Sequence, residues 1–285
     1  MSNLGHPHWS GQTAVIGTMH GKEAVIAPIL GATGLRFEIA KEFDTDQFGT
    51  FTRDIARQGD QFATVRAKAK AALAWSHASI AIASEGSFGP HLSVPWLPAN
   101  LEVVLLLDAR TGREYIGKTL TTRCTQAHTV IRSLHDAEKF ANANGFPEHA
   151  LVIRTGAGDD AAVLAKGIQD PGRLEALVNQ GLSRWPELML EVDLRAHLNP
   201  TRMETIATAT RDLLRIITTD CPHCQMPGFD VVERMAGLPC EACGAPTHLT
   251  RLEILACPVC QHRLERLPDN APSAADPGHC DRCNP

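Results

Sequence analysis

Eight cysteines between residues 221 and 283 fall into four Cys-x-x-Cys pairs: Cys221/Cys224, Cys240/Cys243, Cys257/Cys260 and Cys280/Cys283. Two thiolates at this spacing can grip one tetrahedral ion from a tight turn, and two such knuckles complete its shell. Pro222, Gly244 and Pro258 flank the knuckles, where the backbone must turn back toward sulfur. Taken in chain order, the pairs give two sites with gaps of about 15–20 residues, the zinc-ribbon range. The spacing also leaves open an interleaved cross-brace. Either way each site is filled by four sulfurs with no open coordination position, so the expectation is two structural Zn²⁺ ions in a double zinc-ribbon region over 219–285. Disulfides are the competing reading. The N-terminus shows no basic stretch leading into an apolar one, so a reducing cytoplasm is expected, where paired thiols bind metal.

The rest of the chain supports an ordinary core. Of 285 residues 44% are hydrophobic and 21% charged, in the globular range. The longest clear apolar run, 101–107, falls far short of the roughly 20 residues of a membrane helix. No membrane association is therefore expected. Net charge is −5, and from Asp220 onward nine acidic residues stand against five arginines and no lysine. Nucleic-acid affinity depends on neutralising phosphates with Lys and Arg, so the cysteine-rich tail is a poor candidate for that role.

Upstream, strand-type and helix-type segments alternate. Residues 13–18, 35–39, 79–83, 101–108, 114–122, 150–154 and 188–192 read as strands. Residues 21–30, 61–76, 133–144, 171–184 and 203–217 read as helices, the last opened by a Thr201/Glu204 capping box. The pattern predicts a layered α/β domain with a mixed central sheet over 12–218, including a hairpin across the turn 109–112. Residues 1–11, with His6 and His8, read as a flexible lead-in.

Three segments after the early strands concentrate chemistry. Thr18, His20 and Lys22 sit between a strand and a helix start, which favours anionic groups. Asp44 and Asp46 lie in an acidic stretch. Glu85, Gly86, Ser87 and Gly89 follow the strand 79–83 as a loop, at the end of a sheet where α/β folds bind ligands. Carboxylates, lysines and Gly-rich backbone together make a Mg²⁺–polyphosphate set. In this reading Glu85, with Asp44 or Asp46, holds Mg²⁺ and orients water. Lys22 and Lys70, with Thr18, His20, Gly86, Ser87 and Gly89, bind phosphate. Lys68 and Lys70 on the Ala-rich helix are otherwise a solvated face. Arg195, Asn199 and Arg202, clustered near Pro200, could bind an anion but read rather as helix-capping residues, and Cys124 reads as a buried apolar thiol. Pro239–Cys243 matches half a zinc-deaminase signature, but no His-x-Glu accompanies it. Gly17 to Glu23 is one residue short of a phosphate loop and lacks its Ser or Thr.

Several stretches, among them His20-Gly21-Lys22-Glu23, Phe43-Asp44-Thr45-Asp46, Ala83–Pro90, Asn199–Met203 and the ending Cys280-Asp281-Arg282-Cys283-Asn284-Pro285, resemble a bacterial family known only as domain of unknown function 6671. The resemblance covers nearly the whole chain and implies no activity. A weaker one covers the first half. The order of elements is similar to the inosine/xanthosine triphosphate pyrophosphatase family, which cleaves nucleoside triphosphates with Mg²⁺. Thr18 and Lys22 echo its first loop, with His20 in place of Asn and Lys22 one residue early. Arg66–Ala71 resembles its Asn-Ala-x-x-Lys-Ala helix and Glu85-Gly86 its strand end. The resulting expectation is a cytoplasmic Mg²⁺-dependent hydrolase of a nucleotide or related phosphate ester. The alternative is a non-catalytic adaptor whose ribbons dock a protein partner.

Overall fold

The computed structural model describes residues 5–40, 60–91, 93–156, 158 and 161–285. The chain forms two compact units, Met1–Leu214 and Arg215–Pro285.

In the first unit, strands β1 (Thr13–Gly17), β2 (Arg36–Ile39), β3 (Ile80–Pro90), β4 (Pro98–Asp108) and β5 (Arg113–Thr121) form one mixed sheet in the order β2-β1-β3-β4-β5. β1 runs parallel to β2 and β3, while β3, β4 and β5 form an antiparallel meander. Helix α1 (Glu23–Leu30) follows β1, and α2 (Gln61–Trp75) packs on β1, β3 and β4. The α2 interface is built of small side chains. Ala69 and Ala72 share a buried cluster with Ala81, Ala83, Val15, Val103 and Leu105, so the helix can lie close to the sheet. Asp60 caps α2 by accepting from the Ala63 amide at 2.7 Å.

β3 departs from expectation. The strand does not end at Ala83 but continues to Pro90, and Gly86, Ser87 and Gly89 pair with Glu102, Leu101 and Ala99 of β4. Gly86, Ser87 and Gly89 are therefore strand residues, not a loop. Glycine is needed at Gly86 because a Cβ there would overlap the Glu102 carboxylate and the Arg202 guanidinium.

A second sheet in the same unit comprises β6 (His128–Ile131), β7 (Leu151–Arg154), β8 (Val163–Ile168) and β9 (Leu188–Val192), ordered β6-β9-β7-β8 and antiparallel throughout. Helices α3 (Leu134–Ala143) and α4 (Pro171–Leu182) contribute to its core, which contains Ile131, Leu151, Ile153, Leu174, Val178 and Leu190. Helix α5 (Pro200–Thr218) starts three residues earlier than expected. Pro200 suits the first helical position, and Asn199 Oδ1 accepts from the Arg202 amide at 3.0 Å. Asn199 does the capping expected of Thr201, whose hydroxyl meets His149 instead. At Gly117 of β5 a Cβ would strike the backbone of Ala209 and Leu213, so α5 lies directly against that strand.

The lead-in is not loose over its described part. Trp9 is fully buried, edge-on to Tyr115 at 5.7 Å, and the His6 amide donates to Thr33 O at 2.9 Å. The indole is too large an apolar surface to leave in water when a sheet end can cover it.

The second unit carries a three-stranded antiparallel sheet, β10 (Asp230–Ala236), β11 (Thr250–Ala256) and β12 (Arg263–Arg266). Glu253 on the middle strand is held from both sides by Arg234 at 3.1 Å and Arg266 at 2.9 Å, a cross-strand charge ladder. Among the described residues, no helix is long and apolar enough to cross a membrane.

Candidate functional site

β1 stops at Gly17, opposite Ala83, whereas β3 runs seven residues further. In the order β2-β1-β3 this point lies between two parallel strands whose connections leave in opposite directions, the place where open α/β sheets bind ligands. A set of buried charged and polar side chains gathers there: Lys22, Lys68, Glu85, Asn100, Glu102 and Arg202, each no more than 7% exposed.

Alternation along β3 divides the set between the two faces of the sheet. On the α2 face, Lys68 Nζ donates to Glu85 Oε2 at 2.6 Å, and Gln61 Nε2 holds the Glu85 carbonyl at 2.7 Å. On the other face, Arg202 Nε donates to Glu102 Oε1 at 2.7 Å, as does Asn100 Nδ2 at 3.1 Å. Arg202 Nη1 donates to Leu194 O at 2.6 Å, and its guanidinium lies 5.8 Å from the centre of the Phe88 ring. Glu102 Oε2 is buried without a hydrogen-bond partner among the described residues.

Lys22 enters from the loop after β1. Its ammonium donates to Ser84 Oγ at 3.2 Å and to Ser84 O at 3.5 Å. Among the described residues no carboxylate oxygen lies within 4.0 Å of it. Burial, followed by repulsion from Arg202 and Lys68, outweighs the attraction of Glu102 and Glu85 and lowers its pKa to about 7. The unfolded chain keeps this proton up to about pH 10.5 and the folded chain only to about 7. Stability therefore rises with pH between those values and loses nothing further below pH 7. In urea melts, wild type is expected to gain on Lys22→Met by up to about 1.4 kcal/mol per pH unit above neutrality. A difference that does not change with pH would refute the low pKa.

The remaining predicted residues divide. The Thr18 hydroxyl donates to Met19 O at 2.9 Å within its own loop. His20, at φ 67°, stacks on His197 with ring centres 5.0 Å apart. Burial, then Arg195, holds His197 below its usual pKa. Ser87 Oγ donates to Gln61 Oε1 at 2.9 Å, and no described residue stands within 4 Å of where a Gly89 Cβ would be. Lys70 is exposed, and its neighbour Lys68 is the lysine turned inward onto Glu85. Two positions apart on a helix means opposite faces. Asp44 and Asp46 lie outside the described residues. Cys124 is half-buried, and burial pushes its thiol pKa up, which makes it a poor nucleophile.

Sequence reading missed Glu102, Asn100 and Gln61, and took Arg202 for a capping residue. One signal was available. Glu102 is the one carboxylate in the apolar run 101–107, and a charge in a strand buried on both faces needs a partner.

In the second unit all eight paired cysteines converge, but not in chain order. Cys221 and Cys224 meet Cys257 and Cys260, while Cys240 and Cys243 meet Cys280 and Cys283. Of the two pairings that the spacing leaves open, the structure has the interleaved one. The physical cause is the antiparallel sheet. β10 leaves the first knuckle and β11 returns to the third, so Asp230 pairs with Ala256 and brings Cys221 and Cys257 to one end. Three knuckles share one backbone pattern. The residue after the second cysteine (Gln225, Gly244 or Gln261) has positive φ, and its amide donates to the first cysteine's carbonyl. Sulfur separations are 3.7 Å for Cys221–Cys260, 3.6 Å for Cys224–Cys257, 3.9 Å for Cys240–Cys283 and 3.6 Å for Cys243–Cys280. A tetrahedral ion with metal–sulfur bonds of about 2.3 Å needs edges of about 3.8 Å. Disulfide sulfurs would stand only about 2.05 Å apart. Both groups could hold a metal ion.

No curated protein and no solved structure matches the chain. The family described as Domain of unknown function (DUF6671) matches residues 68–285, a stretch that contains Glu85, Glu102, Arg202 and all eight paired cysteines but not Lys22. The chain belongs to that family.

Proposed function

We propose that the first unit is a hydrolase acting on a nucleotide or related phosphate ester with Mg²⁺, and that each four-cysteine group of the second unit holds a structural zinc ion. Lys22 carries the first part of this reading. An ammonium taken out of water with, among the described residues, only Ser84 as its partner is costly unless an anion arrives, and the crevice at the end of β1 is where one would enter. Lys22 takes up its proton as the phosphate binds, so binding tightens as pH falls toward 7.

Glu85, with Asp44 or Asp46, would hold Mg²⁺, which neutralises phosphate charge and lowers the pKa of bound water. Lys68, already on the Glu85 carboxylate, adds positive charge where the transition state gathers negative charge. Arg202 and Glu102 brace the other face of β3. In the second unit, four sulfurs per group leave no coordination position for a substrate, so zinc there supports the fold.

A second reading is a non-catalytic adaptor. It is favoured by Val232, Met235, Leu264 and Leu267, large apolar side chains at least 45% exposed on the small second unit, where a protein partner could dock.

Phosphate release separates the two. Metal-loaded full-length protein is incubated with Mg²⁺ and a panel of common and deaminated nucleoside triphosphates, with pyrophosphatase added to reveal pyrophosphate. The hydrolase reading expects turnover that falls about a hundredfold or more in Glu85→Ala. Turnover that survives this substitution removes Glu85 from the assignment. Silence across the panel from folded, metal-loaded protein favours the adaptor.

A further inference from the structure

Resting on the phosphate-site reading above, we infer that the ligand carries a nucleobase, seated in an apolar groove beside the buried charges on the α2 face of β3. Register places the two features side by side. Glu85, Val103 and Lys118 form one cross-strand row over β3, β4 and β5. Ser87, Leu101 and Leu120 form the next row, and Gly89 with Ala99 follows. Successive rows on one face are about 7 Å apart, so the groove begins one row from the Glu85 carboxylate. The hydrogen bonds from Ser87 to Gln61 and from Gln61 to the Glu85 carbonyl span the gap.

The groove encloses about 560 Å³, within the range of small-molecule pockets. Phe62, Leu101, Leu120 and Pro90 line it, and Gly89 leaves open space over the strand, which suits a flat ring. Among the described residues its polar side chains are few: the Ser87 hydroxyl and Lys118. A sugar phosphate or inorganic polyphosphate has no apolar face to cover these side chains. A nucleobase has two apolar faces and polar edges. Lys118 and Ser87 can meet those edges, while Lys118 shares its row with Glu85 and adds to the positive charge approached by the phosphate.

Calorimetric titration of the full chain with Mg²⁺ compares inosine triphosphate with inorganic tripolyphosphate, which has the charge without the base. Wild type should bind the nucleotide about tenfold or more tighter than tripolyphosphate. Leu120→Gln alters a side chain 43% exposed, so the fold tolerates it. This variant should bring nucleotide affinity close to that of tripolyphosphate while leaving tripolyphosphate binding within about twofold. Equal affinities in wild type, or nucleotide binding unmoved by Leu120→Gln, overturn the base groove and leave the phosphate site standing. Failure of both ligands to bind overturns the groove and the phosphate site together.

Discussion

Chelating the metal from the full-length protein is expected to unfold residues 215–285 and to leave the sheets of the first unit in place. Outside its cysteines, the buried apolar side chains of the second unit are Ile216, Ile217, Phe229, Leu238, Ala245, Ile254, Leu255 and Ala275, a small core for 71 residues. A unit this small draws only about 3–5 kcal/mol from such a core. A four-thiolate zinc site in a small domain contributes about 10–16 kcal/mol of apparent binding free energy, which is folding free energy when the site does not exist in the unfolded chain. Hydrogen exchange during chelation should show protection lost across β10, β11 and β12 as metal leaves. Retention of that protection in metal-free protein would sink the structural-metal reading. Native mass spectrometry tests the pairing independently. Cys221→Ser with Cys257→Ser disables one group, so one ion should remain. Cys221→Ser with Cys240→Ser disables both, so none should. Sequential pairing predicts the reverse for these two double variants.

Arg202→Met is expected to destabilise the first unit by about 3–5 kcal/mol, the range for removing one partner of a buried ion pair. Glu102 would lose its cation with no water to replace it, since its side chain is fully buried and Arg202 is only 1% exposed. The same guanidinium also satisfies Leu194 O, so one deletion exposes two acceptors. For a unit of this size the loss corresponds to about 10 °C in melting temperature. Replacing both partners, Arg202→Met with Glu102→Leu, should recover most of the stability because no buried charge remains. A double-mutant cycle in urea reads this directly. A coupling near zero would mean that water reaches the pair. The double variant also separates roles: bracing alone predicts that phosphate release returns with stability, whereas a direct part in phosphate binding predicts that it does not.

The two families of sites were legible to different depths. The residues that could hold metal could be named from spacing alone, because the two thiols of a knuckle sit within one turn of backbone. The α/β character of the first unit was equally local, carried by the alternation of β-branched runs with Ala-rich helical segments. Strand ends were harder. Ser84 to Pro90 looks like a loop by composition, since two glycines and a proline break most strands. Its pairing with β4 and the close approach of Glu102 and Arg202 to Gly86 turn those residues into requirements of a strand. Lys68 and Lys70 are chemically identical on the same helix, and only the direction of the sheet beneath α2 selects Lys68. Arg202 is separated by 100 residues from the carboxylate it neutralises. No pattern near either residue announces that meeting.

The sequence by itself determined which residues could bind metal, that they suffice for two sites, and where the helices α1–α5 and the strands β1, β2, β4, β5, β7 and β9 run, but not β6, β8 or β10–β12. Each depends on neighbours within a few positions along the chain. Only the tertiary structure decided which knuckles come together and which cations and carboxylates are buried together. Those choices rest on strand order, register and the face a helix presents. Such contacts close long loops and become favourable only when the whole sheet forms.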